Sequence, residues 1–283
     1  MTPAALLLIG LPLAADERLL TDADRAFADG VALRADAAAA RKRFAAAAAG
    51  YDELWRLGSH NPALALNRAR ARRLAGDLPG AIVAFHDGLA VARYDRPLQA
   101  GLEEARSAVA YPLDGELAAQ CRPRPRGTVG TRMSPADAYL AAGLLWLLTC
   151  LGVVRFAMTR AGGWLAFAGF WLACLGLLGG LWWQDWRHHS RDESRPLVVV
   201  RDDVFLRKGN ADGYPARLEP RLPRGVEARE LTRRGGWVQV ELAGGAVGWL
   251  PEAAVIVCAG RGAIQRSEDR GQRTEKNRRS GFV

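Results

Sequence analysis

AYLAAGLLWLLTCLGVVRFAM at residues 138–158 and AGGWLAFAGFWLACLGLLGGLWW at residues 161–183 are two apolar runs broken only by Thr159-Arg160. A helix needs about 20 mostly apolar residues to cross the hydrocarbon core of a bilayer. Each run reaches that length if Arg155, near the end of the first, snorkels to the interface. The break allows only a tight turn, and Gly162-Gly163 follow it. The two runs therefore read as a membrane-spanning helical hairpin. The competing reading is a buried hairpin in a soluble core. Against it, the second run carries no charge, and Trp164, Trp182, Trp183 and Trp186 stand at its ends, where interfacial aromatics belong. Gly176 and Gly180 are spaced as G-x-x-x-G, as are Gly169 and Ala173, a spacing that would let the two helices approach closely.

The hairpin splits the 283 residues into two polar parts. The net charge is +9, but 30 acids are mixed among 39 bases. No basic face is interleaved with aromatics, so the composition does not point to nucleic acid. Cys121, Cys150, Cys174 and Cys258 form no C-x-x-C pair, and two lie within the spans, which argues against a zinc ribbon and a disulfide framework. Spacing leaves open whether Cys121 meets Cys258 outside the cytoplasm.

Residues 1–15 read as a secretory signal. The apolar run TPAALLLIGLPLAA ends in small residues before Asp16-Glu17, although its start carries no Lys or Arg. The alternative is an additional apolar helix packed on the next domain. Residues 22–111 are rich in Ala, Leu and Arg and read as five helices. The first is Asp24 to Ala35. The second, Ala38 to Leu57, carries Phe44, Tyr51, Leu54 and Trp55 on one side. The third begins at Pro62 after the N-cap Asn61 and stops at Gly76-Asp77. The fourth starts at Leu78-Pro79, and the fifth runs from Pro97 to Ala110. Antiparallel helix pairs with small residues at the crossings suggest tetratricopeptide-like repeats. The best unit is Pro62 to Arg93, with Ala69, Ala81, Phe85 and Gly88 at the expected places. An unrelated five-helix bundle is the alternative.

Residues 112–137 contain CRPRPRGTVGTR and read as a Pro/Arg-rich linker. His188-His189 follows the hairpin without an acid or cysteine at ligand spacing, so an exposed pair is expected rather than a metal site. Residues 196–257 change character: short strand-like runs are punctuated by Gly225, Gly235-Gly236 and Gly244-Gly245, and suggest a small barrel. Residues 259–283 are polar and basic without periodicity, the composition of a disordered tail.

Phe205-Leu206-Arg207-Lys208-Gly209, Gly225, Gly236-Trp237-Val238-Gln239-Val240 and Gly248-Trp249-Leu250 resemble a bacterial SH3-like domain. The segment from Asn210 to Arg224 departs from that pattern. The whole order of signal, repeats, hairpin and SH3-like domain resembles the BatE proteins of the bacterial Bat (aerotolerance) operon. Asn61-Pro62-Ala63-Leu64-Ala65-Leu66-Asn67 and Leu74-Ala75-Gly76-Asp77-Leu78-Pro79-Gly80-Ala81-Ile82 are similar to its repeat region. The resemblance implies a membrane-anchored interaction protein beside von Willebrand A-domain membrane proteins and a MoxR-type ATPase.

The chain holds no G-x-x-x-x-G-K-[ST], H-E-x-x-H or G-x-S-x-G. His60, His86, His188 and His189 lack an obvious nucleophile or metal partner. The adjacent acids Asp52-Glu53 and Glu103-Glu104 point in different directions on a helix and make no two-carboxylate site. No catalytic residue, cofactor or metal site is expected. An SH3-fused cell-wall hydrolase is the one enzymatic alternative.

The expected function is a non-catalytic scaffold for protein partners at the membrane. The alternative is an envelope anchor whose SH3-like domain binds peptidoglycan or cell-wall peptides. If the first helix of each repeat lines a groove, Asn67, Arg70 and Arg73 lie on or near it and suit an acidic partner segment. Arg68 and Arg72 make the whole helix basic, so a solvated charged surface is the rival reading. Trp237 and Trp249 are expected to be structural first, with a half-exposed aromatic platform as the alternative. The cytoplasmic membrane is the expected location. The signal and the Arg155–Arg160 turn put both soluble parts outside, whereas Arg122, Arg124, Arg126, Arg132, Arg187, Arg191 and Arg195 at the flanks favour the inverse orientation.

Overall fold

The computed structural model describes residues 11–123, 135–193 and 195–259. Residues 1–10 of the expected signal, part of the expected linker and all but the first residue of the expected tail lie outside that range. The side chains of Trp186, His188 and His189 also lie outside the description.

Among the described residues six helices come before the hairpin: α1 (Leu11–Ala32), α2 (Ala37–Arg56), α3 (Pro62–Ala75), α4 (Leu78–Val91), α5 (Arg96–Ser107) and α6 (Gly115–Cys121). Three starts share one chemistry. Asn61, Asp77 and Asp95 accept from the backbone N–H of Leu64, Gly80 and Leu98, and a proline sits in the first turn of each helix. The acceptor satisfies an otherwise orphaned donor, and the proline loses no helical bond there. Gly76 ends α3 in the left-handed region (φ 92°), where a side chain would be strained.

Two elements differ from the sequence expectation. α1 begins at Leu11 rather than near Asp24, because Leu19 and Ala23 continue the apolar stripe of Ala26 and Phe27 towards the N-terminus. α6 forms inside the expected linker and buries Leu117 and Cys121. Consecutive helices pack in antiparallel hairpins, with close approaches at glycines: Gly30 meets the Phe44 ring, and Gly88 meets Ala65 and Leu98.

Among the described residues five strands follow the hairpin: β1 (Leu197–Val200), β2 (Glu227–Arg234), β3 (Trp237–Leu242), β4 (Val247–Pro251) and β5 (Val255–Val257). They make one antiparallel sheet in the order β4-β3-β2-β1-β5. Gly235 and Gly236 both have positive φ (58° and 77°) and close the β2–β3 hairpin in two residues, as such turns require. The chain leaving β1 returns to the opposite edge, where Arg207 and Trp249 exchange backbone bonds of 3.0 and 2.9 Å. One buried core runs from Tyr51, Ile82, Phe85 and Leu98 in the helices to Val198, Val226, Val240 and Leu250 around the sheet. The helices and the sheet, separated in sequence by the hairpin, thus belong to one compact unit.

The second unit is the hairpin itself, formed by α7 (Pro135–Thr159) and α8 (Gly162–Glu193). Its candidate spans, Ala136–Thr159 and Gly162–Gln184, have mean hydropathies of 1.9 and 1.8. Only 11% and 6% of the two windows are buried within the protein, the reverse of a soluble core helix. Both helices are therefore long and apolar enough to cross a membrane. Their close approach does not use the expected glycine spacing. Gly152 lies against Ala168, whereas among the described residues nothing lies within 4 Å of where a Cβ would sit on Gly169, Gly176 or Gly180.

Candidate functional site

The residues expected to line a groove lie on α3. Gly101 of α5 has no side chain, so the Phe85 ring of α4 packs directly against it. A hollow of about 160 Å³ remains, lined by Arg70, Arg73, Phe85, Pro97, Ala100, Gly101 and Glu104. Phe85 is buried and forms an apolar floor, while Arg70, Pro97 and Ala100 are exposed at the rim. Arg70 and Arg73 thus meet at one concavity. Asn67 is half-buried on the same helix but does not line it. Arg73 pairs with Glu104, a partly exposed bridge of the kind worth about 0–1 kcal/mol. The hollow is smaller than the roughly 300 Å³ at which small-molecule sites begin. Its size suits a single side chain of a partner, with a guanidinium at the edge.

Arg68 and Arg72 are not the solvated face that the sequence suggests. Arg68 is 9% exposed. Its Nε donates to Asp52 Oδ1 (2.5 Å) and its Nη1 to Asp87 Oδ2 (2.8 Å). Arg72 donates to Asp52 Oδ2 (2.6 Å) and Asp77 Oδ2 (2.5 Å). The same Asp87 accepts the Ala259 backbone N–H at 2.8 Å, which latches the chain just beyond β5 onto α4. Asp52, which the sequence suggests is surface charge, therefore joins α2 to α3.

A second cluster fastens β2 to the helices. Glu227 is buried and takes Arg106 in a two-pronged contact, Nε to Oε1 at 2.7 Å and Nη2 to Oε2 at 2.8 Å. His86 Nε2 lies 3.0 Å from Glu227 Oε2. Burial pushes the Glu227 carboxyl up, but His86 and Arg106 outweigh it and hold the group well below the usual carboxylate range. Nothing in the sequence pairs these residues, because 141 positions separate His86 from Glu227 and 121 separate Arg106 from it. Gln120 of α6 adds a third fastening: its carbonyl accepts from the Gly244 N–H and its Oε1 from the Ala246 N–H, at 3.0 and 3.1 Å.

Trp237 and Trp249 are half-buried and sit on the sheet face opposite the core, which takes Val238, Val240 and Leu250 instead. The alternation places both in the outward register, so neither belongs to the buried core. Trp249 lies opposite Gln239 on one side and Arg207 on the other, and Trp237 lies opposite Pro251. Arg207 Nη1 donates to the Tyr214 carbonyl (2.8 Å), which brings the 205–216 loop to the same edge.

Among the described residues no group of three His, Cys, Asp or Glu is arranged to hold a metal ion. The four cysteines are free thiols; burial pushes that of Cys121 up to about 11 and raises that of Cys258 well above its ordinary value. Comparison with family models, with curated proteins and with solved structures returns no match. The functional reading therefore rests on the geometry and on the residues themselves.

Proposed function

We propose that the chain is a non-catalytic, membrane-anchored scaffold that holds protein partners of an envelope complex. The observation that carries this reading is the pairing of two features in one chain. One is a hairpin with spans that are almost wholly unburied by protein. The other is a helical array with α4 packed on β1 and β5 and with an open hollow between α3 and α5. In this reading α1–α5 are tetratricopeptide-like repeats, the sheet is an SH3-like domain, and Arg70 and Arg73 receive an acidic or carbonyl-bearing segment. The hairpin crosses the cytoplasmic membrane, with the soluble unit on the outer side. The resemblance to BatE proteins suggests von Willebrand A-domain membrane proteins and a MoxR-type ATPase system as neighbours.

The test is co-purification from solubilised membranes. Arg70→Ala/Arg73→Ala is expected to lose partners that wild type and Arg41→Ala/Lys42→Ala retain, the latter pair being exposed on α2. Arg68 and Arg72 cannot serve as the control, because their substitution would break the Asp52–Asp87 cluster. Equal partner recovery in all three proteins overturns the reading.

The half-exposed row of Trp237, Trp249 and Arg207 supports a second reading, in which this face binds cell-wall peptides and the protein anchors the envelope. Sedimentation with purified cell wall, lost on Trp249→Ala, would favour it; no sedimentation of the wild type would dismiss it.

A further inference from the structure

A second concavity of the helix–sheet unit lies away from both the α3–α5 hollow and the tryptophan face. It is an open cleft of about 530 Å³ where the start of α4 and the chain just after α5 meet the segment that connects β1 to β2. Leu78, Ala110 and Pro112 form the helical wall, and Pro223, Arg221 and Arg224 form the other. Both ends of this arrangement are held. The Arg224 backbone N–H donates to Asp203 Oδ1 at 2.8 Å, and the Arg221 guanidinium stacks over the Phe205 ring at 4.8 Å. Beneath the loop, Gly225 has φ 91° and approaches Val109 so closely that a Cβ would lie 2.9 Å from its Cγ2. The loop is thus seated on the helices, and its two arginines are presented at a fixed edge.

The chemistry of the cleft is mixed. Proline and short aliphatic side chains supply an apolar lining without rotamer freedom to lose on contact. Arg221 and Arg224 are exposed, and no carboxylate at salt-bridge distance to either is seen among the described residues. Leu113, immediately after Pro112, leaves 84% of its surface exposed. Arginine beside an apolar patch is the composition enriched at protein interfaces, and its planar fork pairs with both oxygens of a carboxylate. The apolar lining disfavours a nucleic-acid backbone, and the Asp203 carboxylate is occupied by the Arg224 backbone N–H. The chain's own residues 260–283 carry more Lys and Arg than Asp and Glu, which is the wrong sign for an occupant.

We propose that this cleft is a docking site for a partner peptide segment in which an acidic residue alternates with an aliphatic one, the acid on Arg221 and Arg224 and the aliphatic side chain against Leu78 and Pro112. It is separate from the α3–α5 hollow, so one partner chain can engage either site without the other.

The probe is a short, acetylated, fluorescein-labelled peptide of alternating glutamate and leucine. It is titrated against the full chain in nanodiscs of zwitterionic lipid and followed by anisotropy. Saturable binding is expected, weakened at least tenfold by Arg221→Ala/Arg224→Ala and by Ala108→Glu, an exposed change on the opposite wall. Arg70→Ala/Arg73→Ala is expected to leave it unchanged, which separates failure here from failure of the scaffold reading. A glutamine–leucine peptide and a glutamate–serine peptide should each bind at least tenfold more weakly. Unchanged melting of the variants checks that they fold. The proposal is overturned if wild type shows no saturable binding or if the cleft variants bind equally. It is also overturned if the serine peptide binds as well as the leucine one, or if millimolar phosphate or anionic vesicles displace the probe regardless of its leucines; those outcomes mark a simple anion or lipid-headgroup site.

Discussion

Glu227→Gln tests how the two halves of the soluble unit are held together. The change keeps the shape of the side chain and removes its charge. The Arg106 side chain is 21% exposed and that of His86 11%, so both lose the carboxylate largely out of water. Breaking one member of a buried pair costs about 3–5 kcal/mol, because the charge left behind loses its buried partner; Arg106 keeps only the exposed Glu103, 3.7 Å away. For a unit of this size, 1 kcal/mol moves the melting temperature by about 2–4 °C, so the shift is roughly 6–20 °C. Replacing both partners, as in Glu227→Leu/Arg106→Met, is expected to restore most of the loss, since apolar substitutes of similar volume are often neutral. The assay is denaturation of the full chain in micelles with hydrogen exchange read by peptide. Protection should fall first in α4, α5 and β2. A shift below about 1 kcal/mol, or equal loss in α1 and α2, would refute the reasoning. The same carboxylate gives a pH dependence with a definite sign. Its folded pKa is depressed, so its contribution is complete above the unfolded carboxylate value of about 4.3 and is lost as pH falls below that value. Wild type should therefore lose stability on acidification more steeply than the Glu227→Leu/Arg106→Met double variant.

Gly225→Ala strains a positive φ and drives a methyl into Val109 and Ile82, so a loss of about 1–3 kcal/mol is expected in denaturant melts; an unchanged midpoint would mean the loop is not seated on the helices. Trp249→Ala is expected to cost well under the about 3–5 kcal/mol of a core aromatic, because its side chain lies on the outer face; a full core-sized loss would contradict that register.

The parts legible in the sequence are those decided locally. Asn61-Pro62 and Gly76 delimit α3 at Pro62–Ala75, and the alternation in Trp237-Val238-Gln239-Val240 delimits β3. The two apolar runs give two helices of spanning length within a few residues. The features that were not legible depend on partners distant in the chain. In the run Arg68, Arg70, Arg72, Arg73, helical spacing separates two faces, but only Asp52 and Asp87 decide that the Arg68–Arg72 face turns inward. α6 looks like linker because proline and arginine dominate its surroundings; it is held by the β3–β4 turn, which Gln120 reaches across 126 residues. For Trp237 and Trp249 the alternation was visible, but not which face met the helices. At the candidate site, Arg70 and Arg73 could be paired from their spacing, whereas the Phe85–Gly101 floor required the fold.

The most direct measurement for the scaffold account is site-specific photo-crosslinking in intact membranes. A photoreactive residue is placed at Arg70, with Arg41 on α2 as the control position. The account predicts a discrete protein adduct from position 70, absent from position 41 and lost when the hollow is filled by Ala100→Trp. No adduct at position 70, or the same adducts at both positions, would contradict it.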